Sequence, residues 1–339
     1  MIVSARRYRS IRIMPAPPSP LVIRAATPGD GERVAAMAAA LSQDEGGPPS
    51  QFSAEAFCRD GFGQAPAFAC LIAERDGATV GYALHYPDYD TDRLVHGAYL
   101  ADLYVEKAAR RAGVGRALMA AVARIGRERG ARMMRWGVLQ HNGAARLFYS
   151  GIGREQQDLR VCSVSGDRFR TLAEAAPRSA AIRPARPADA GALATMLEAL
   201  NRELDCRPPR AGIEAALRAD GFGPNAAFTS LFAERQGAPV GYALFLPAYD
   251  TETGARGAFL SDLYVMPRTR GHGLGRALIA AATRATTQRG GDFLYWEVLR
   301  TNTRARRFYR SLAGELEDVI ICIAEGEAFE RLAVDGGMR

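Results

Sequence analysis

Two stretches of this chain carry residues at spacings able to bind an anion and move a proton, and each stretch occurs twice. Asp102-Leu103-Tyr104-Val105 runs into Arg110-Arg111-Ala112-Gly113-Val114-Gly115-Arg116. At a constant offset of 160 residues, Asp262-Leu263-Tyr264-Val265 runs into Arg270-Gly271-His272-Gly273-Leu274-Gly275-Arg276, and 12 of the 22 positions from Ala98 to Met119 are identical to their counterparts. Glycines just before a helix let several backbone amides converge on one point, where the helix dipole adds roughly half a positive charge. With arginines around it, that point suits a pyrophosphate. A dinucleotide fingerprint would need glycine or alanine where Leu118 and Leu278 stand, and the Gly-Lys-Ser/Thr of a P-loop is absent, so both of those nucleotide sites are excluded. The second stretch is Asn142-x-x-Ala145-x-x-Phe148-Tyr149, repeated as Asn302-x-x-Ala305-x-x-Phe308-Tyr309.

The elements that must position these residues follow from periodicity. A short strand at Val22 to Ala25 precedes Thr27-Pro28-Gly29-Asp30, a capping-box pattern ahead of the apolar stripe Val34, Met37, Ala38 and Leu41. The second copy repeats it with Leu193, Met196, Leu197 and Leu200. A polar loop (Ser42 to Ser50; Asn201 to Pro209) leads to a helix ended by Asp60-Gly61-Phe62-Gly63, matched by Asp220-Gly221-Phe222-Gly223. Two alternating runs, Phe68 to Glu74 and Thr79 to Tyr86, are joined through the hairpin dipeptide Asp76-Gly77, and their twins are Phe228 to Glu234 and Pro239 to Leu246. A fourth strand, Gly97 to Val105, delivers the glycine turn, and the helix after it carries the stripe Val114, Ala117, Leu118, Ala121, Val122 and Ile125. A fifth strand, Met133 to Leu139, leads to the asparagine–tyrosine helix, and a last apolar run spans Leu159 to Val164. Each copy reads as β-α-α-β-β-β-α-β-α-β, a mixed sheet with helices on its faces. The expected division is a basic leader (1–20), a first domain (21–174), a linker (175–180), a second domain (181–333) and a tail (334–339).

The 339 residues are 48% hydrophobic and 24% charged, and no apolar run approaches the ~18 residues of a membrane span. The net charge of +7 includes four arginines in the first 20 residues, which leaves a mild +3 on the rest. That suits arginines holding a small anion better than a duplex-binding face, so no nucleic-acid and no membrane partner is expected. Five cysteines without a CxxC pair point to a reduced, cytoplasmic setting, with Cys162 and Cys322 as equivalent core residues. Four histidines without ligand spacing give no metal site. Trp136 and Trp296 are expected in the core.

Together the two stretches resemble the GNAT N-acetyltransferase superfamily over about 155 residues of each copy. The diamine and spermidine/spermine N-acetyltransferases are more similar still, through Asp60-Gly61-Phe62-Gly63, Tyr89-Asp90, Tyr99-Leu100-x-Asp102-Leu103-Tyr104-Val105 and Phe148-Tyr149. The resemblance implies tandem α/β (α+β) domains, each a mixed, mostly antiparallel sheet flanked by helices. It implies acetyl-CoA as cofactor, cradled by residues 103–105 and 110–116 with Asn142, and by 263–265 and 270–276 with Asn302. It implies a small-molecule primary amine as acceptor, with Asp90, Asp102 and Glu45 matching amine-binding acids in copy one and Asp250 and Asp262 in copy two. Leu204 replaces Glu45, and Ala101 and Ser261 replace the acid that precedes the strand aspartate in the family. The implied mechanism is direct attack by the neutral amine. Backbone amides near Tyr104 and Val105 hold the oxyanion, Tyr149 or Tyr309 protonates the thiolate, and Asp102, Glu45 and Asp262 take the amine proton. Asn142 and Asn302 also fit as helix caps. The copies are expected to pair as an internal pseudo-dimer. The rival readings are a non-catalytic acyl-CoA sensor and an acetyltransferase for protein or antibiotic amines.

Overall fold

The computed structural model describes residues 20–175, 181–205 and 212–335. The basic leader, nearly all of the linker, Cys206 with the loop around it, and the tail beyond Asp335 lie outside them. The first copy runs β1 (Val22–Ala25), α1 (Gly31–Glu45), α2 (Ala54–Phe62), β2 (Ala69–Arg75), β3 (Ala78–Asp90), β4 (Val95–Val105), α3 (Val114–Glu128), β5 (Met133–Leu139), α4 (Gly143–Ser150), β6 (Arg154–Gln156), β7 (Leu159–Ser165) and α5 (Gly166–Glu174). The second repeats it as β8 (Ala181–Pro184), α6 (Ala190–Glu203), α7 (Ile213–Asp220), β9 (Thr229–Arg235), β10 (Ala238–Asp250), β11 (Ala255–Val265), α8 (Leu274–Thr287), β12 (Gly291–Leu299), α9 (Thr303–Tyr309), β13 (Gly314–Leu316), β14 (Val319–Glu325) and α10 (Glu327–Asp335). The short strands β6 and β13 and the helices α5 and α10 add to the elements expected from periodicity. Asp76 and Gly77 both take positive φ, as a tight hairpin turn requires. Asp30 accepts hydrogen bonds from the Thr27 amide and hydroxyl, so the capping box closes a single 3-10 turn ahead of α1.

The two seven-stranded sheets do not follow the contiguous division of the chain. One is ordered β1-β2-β3-β4-β5-β14-β6 and the other β13-β7-β12-β11-β10-β9-β8. The final strand of each copy therefore sits in the other copy's sheet: β14 pairs antiparallel with β5 along its length, and β7 does so with β12. The crossing takes only Gln157 and Asp158 between β6 and β7, and Glu317 and Asp318 between β13 and β14. The exchanged helices go with their strands, α10 packing on α3 and α5 on α8. Cys162 and Cys322 are buried in these exchanged strands. The halves also share apolar clusters: Tyr249 and Phe293 pack with Phe52, Phe57 and Phe68, while Tyr89 packs among Phe228, Tyr242 and Phe259.

Each sheet opens where the site lies. Strands β4 and β5 run parallel but pair only from Gly97 to Leu100 against Met133 to Trp136, and then diverge. Strands β11 and β12 likewise pair only as far as Phe259 and Tyr295. Just beyond, Ala101 bulges from the β3–β4 ladder, because Leu84 faces Asp102 while His85 faces Leu100. The bulge places Asp102 and Tyr104 on the face shared with Tyr82.

The far end of β4 is held by close backbone approach. A Cβ on Gly81 would lie 2.6 Å from the Tyr104 carbonyl oxygen, and on Gly241 2.7 Å from that of Tyr264. We expect Gly81→Ala to destabilise the protein by about 1–3 kcal/mol, as overpacking against backbone does. A denaturation midpoint equal to the parent's would show that β4 yields freely there.

Candidate active site

The glycine turn adopts the conformation its sequence demands. Arg111 and Gly113 have φ of 62° and 80°, and Gly271 and Gly273 have 84° and 77°. A Cβ on Gly113 or Gly273 would meet no protein atom within 4 Å, so each glycine borders open space rather than packing. Gly115 and Gly275 instead allow an aromatic ring to approach, since a Cβ there would lie 3.3 Å from the Phe148 ring and 3.4 Å from the Phe308 ring. The first-turn amides of α3 and α8 have no acceptor within the helix. The turn is clamped from behind. Arg110 Nε donates to the Val105 carbonyl (2.8 Å) and its guanidinium pairs with Asp44 (2.6 Å). Arg270 repeats this with the Val265 carbonyl and Glu203. These two arginines are thus braces for the turn. Arg116 pairs with Asp335, and the exposed His272 ring lies beside the carbonyls of Thr269 and Arg270.

In the second half these pieces border one cavity of about 930 Å³. Its walls include Leu263, Tyr264, Val265, Arg270, Gly271, Gly273, Leu274, Gly275, Arg276, Asn302 and Tyr309, together with Asp262. Of the residues expected there from sequence, His272 and Asp250 do not line it. Asn142 and Asn302 cap α4 and α9, their Oδ1 atoms accepting from the Ala145 and Ala305 amides (3.0 and 3.1 Å). Tyr149 and Tyr309 lie further along these helices, against Trp136 and Trp296. Burial raises both phenols. Glu45 and Asp102 add to the shift of Tyr149, and Cys162 and Asp262 to that of Tyr309.

The carboxylates are assembled from both copies. Asp102 is buried and accepts from the Tyr82 hydroxyl (2.6 Å) and from Thr251 Oγ1 of the second copy (2.6 Å). Its carboxyl is pushed up to about 6, chiefly by burial, with those two hydrogen bonds opposing. Glu45, at the end of α1, is pushed up to about 7 by burial, then by Asp102 and by Glu252 of the second copy. In the second half, Asp262 accepts from Thr91 Oγ1 of the first copy (3.1 Å). Burial raises it well above the carboxylate range, with Asp92 adding to the rise. Asp92 is itself pushed up to about 6 by the enclosure of its carboxyl, then by Asp90, although the residue as a whole is exposed.

This crossing relocates two expected amine-binding acids. Asp90, grouped in the sequence with copy one, lines the second half's cavity, where it pairs with Arg93. Asp250 influences Asp102 of the first half, and its own oxygens accept from the Glu252 amide and the Thr253 hydroxyl. Sequence reading missed Thr91 and Thr251, the acids Asp92 and Glu252 that follow them, and Tyr82. The recurrence of Tyr-Asp-Thr at 89–91 and 249–251 was the available signal, but only the fold shows that each loop serves the other half. Leu204 stands where Glu45 does, so the second half has no carboxylate at that position, and the neighbouring Glu203 is paired with Arg270.

The profile described as "Acetyltransferase (GNAT) family" matches residues 34–153 and 194–314, once in each half. The thialysine N-epsilon-acetyltransferase of Mus musculus is 37% identical over 168 residues, which is 46% of this chain and 98% of that protein. The mycothiol acetyltransferase of Kineococcus radiotolerans is 32% identical over 311 residues, covering 88% of this chain and 94% of its own length. Among solved structures, a GCN5-related N-acetyltransferase from Sphaerobacter thermophilus superposes with a TM-score of 0.52 at 21% identity, over 90% of this chain and 95% of that one, a likeness of fold. Among the described residues no helix is long and apolar enough to cross a membrane. The chain is an acetyl-transferring enzyme built as a tandem repeat, and it belongs to the acetyltransferase (GNAT) family.

Proposed function

We propose that each half transfers an acetyl group from acetyl-CoA to a primary amine of a small molecule, a diamine, polyamine or amino-acid-like acceptor, by direct attack. The observation that carries this reading is the grouping in the first half of two carboxylates near 6 and 7 with the raised phenol of Tyr149, beside a glycine turn that borders open space. The similarity to an enzyme acting on the ε-amine of thialysine supports a small amine as acceptor. Acetyl-CoA fits the turn because Gly113 and Gly273 leave room that any side chain would take up. Bound there, it supplies a thioester carbonyl already activated toward amines. The amides of residues 111–115 and 271–275 and the dipoles of α3 and α8 would hold its pyrophosphate. In the first half Glu45, with Asp102 behind it, receives the amine's proton, and in the second half Asp262 does, because an ammonium with an ordinary pKa of ~10.4 has no lone pair to attack with. Tyr149 and Tyr309 deliver a proton to the sulfur side. The shared clusters and the exchanged strands support the two halves acting as one internal pair.

The test is a panel of polyamines, diamines, amino acids, aminoglycosides and peptides with free-thiol release as readout. Turnover confined to small amines supports the reading, turnover confined to peptides or aminoglycosides replaces the acceptor, and donor binding without turnover makes the chain a sensor. The carboxylates also set a pH dependence in the first half, measurable in a Tyr309→Phe background. A base pushed up to about 7 is protonated and idle below that value and active above it. The parent-to-Glu45→Gln ratio of kcat/KM should therefore be large above about pH 7 and fall toward one below it. Taking the ratio cancels the acceptor's own titration. A ratio that is flat with pH would remove Glu45 as the base.

A further inference from the structure

The two acceptor ends are not copies of each other, and the difference is a displaced carboxylate. The second half lacks Glu45, having Leu204 there, but carries Glu297 on β12 where the first half has Gly137. Glu297 follows shortly after Tyr295, the last residue of β12 paired with β11, so it stands where the strands diverge and it lines the cavity. Its ion-pair partner is Arg135, at 3.6 Å, and that guanidinium is already committed to Asp88 through two hydrogen bonds of 2.7 and 2.8 Å. Glu297 is thus only weakly compensated.

Two further atoms lack partners in the same cavity. Asp262 is 5% exposed and its Oδ2 has no hydrogen-bond partner among the described residues. The Oε1 of Gln156, on β6, is likewise buried and unpartnered, and in the first half the equivalent position is Leu316. An unpartnered buried acceptor is destabilising, and a ligand that brings a donor relieves it. The acceptor end holds Asp90, Asp92, Asp262 and Glu297 against Arg93 and Arg135, and an excess of acid calls for cationic donors. Two separate acceptors without donors call for a ligand that carries two.

Resting on the acetyl-transfer reading above, we infer that Glu297 and Gln156 form a second cation locus found only in the second half, so that this half selects acceptors with two ammonium groups while the first half does not. One amine is placed at Asp262 and Asp92 for acetylation. The other ammonium is held by Glu297 and the Gln156 amide oxygen, and it is not consumed. Both residues are specificity-determining and touch no reacting atom.

The test compares putrescine with n-butylamine, which differ by the second amine. Turnover in a Tyr149→Phe background reports the second half, and turnover in a Tyr309→Phe background reports the first. The putrescine-to-butylamine ratio of kcat/KM should be higher in the second half by about 10- to 100-fold, the range of a hydrogen bond to a charged group. Glu297→Gln should collapse that ratio in the second half, whereas general damage to the fold would lower both rates and leave the ratio standing. Equal ratios in the two halves, or a ratio that survives Glu297→Gln, overturns the inference. If neither background turns over an amine, the acetyl-transfer reading fails by itself. Calorimetric titration of the full chain with putrescine then decides the locus: weaker binding in Glu297→Gln supports it and unchanged binding overturns it.

Discussion

Replacing Tyr149 and Tyr309 together by phenylalanine is expected to lower amine-dependent thiol release by about 10²- to 10⁴-fold, the usual contribution of a positioned general acid. Donor affinity should stay near the parent's, because the pyrophosphate cradle lies in the turns at 110–116 and 270–276. Each single variant removes the contribution of one half and reveals the other. Burial raises both phenols above their ordinary pKa, which keeps them protonated at neutral pH and available as donors. A thiolate formed in the same dry surroundings is destabilised by the same loss of water, so donor and acceptor rise together and transfer stays feasible. Phenylalanine preserves the packing on Trp136 and Trp296 and removes only the hydroxyl. A double variant as fast as the parent would take proton delivery away from the tyrosines.

A loss of stability approaching 3–5 kcal/mol is expected from Asp88→Ala, because it strands a buried guanidinium. Arg135 and Asp88 side chains are 12% and 5% exposed, and Arg135 also lies over the Phe259 ring at 5.0 Å. Glu297 remains at 3.6 Å to take part of the charge, which places the effect toward the lower end of that range. The second half shows how the position can be filled without ions: Tyr295 and Ala248 stand where Arg135 and Asp88 do. Because Arg135 is also the ion-pair partner of the largely buried Glu297, the variant Asp88→Ala/Arg135→Tyr/Glu297→Gln should therefore recover most of the loss. Chemical denaturation of the three proteins checks this, and a single variant of parental stability would mean that the guanidinium reaches water or another acid.

Local chemistry made much of the fold legible. Thr27 with Asp30, Asp76-Gly77, Gly113 and Asn142 each specify a cap or turn through their own backbone and side chain, and the stripe beginning at Val114 buries as its period requires. The exchange of β7 and β14 was not legible. Val161, Cys162 and Val164 are near-copies of Ile321, Cys322 and Ala324, so either strand satisfies either sheet, and only the two-residue crossings at Gln157-Asp158 and Glu317-Asp318 decide between them. The same ambiguity concealed the composition of the site. Thr91, Asp92, Thr251 and Glu252 read as loop residues of their own copy, although each loop reaches the aspartate of the other. Arg110 and Arg270 looked like anion ligands from their place beside the glycines, whereas their partners Asp44 and Glu203 lie 66 and 67 residues away in sequence.

Acetyl transfer to a small amine is tested most directly by incubating the full chain with acetyl-CoA and the amine panel, and measuring N-acetylated amine by mass alongside free thiol. An N-acetylated small amine matched one-for-one by free thiol is the expected result. Thiol release that leaves every small amine unmodified would contradict it.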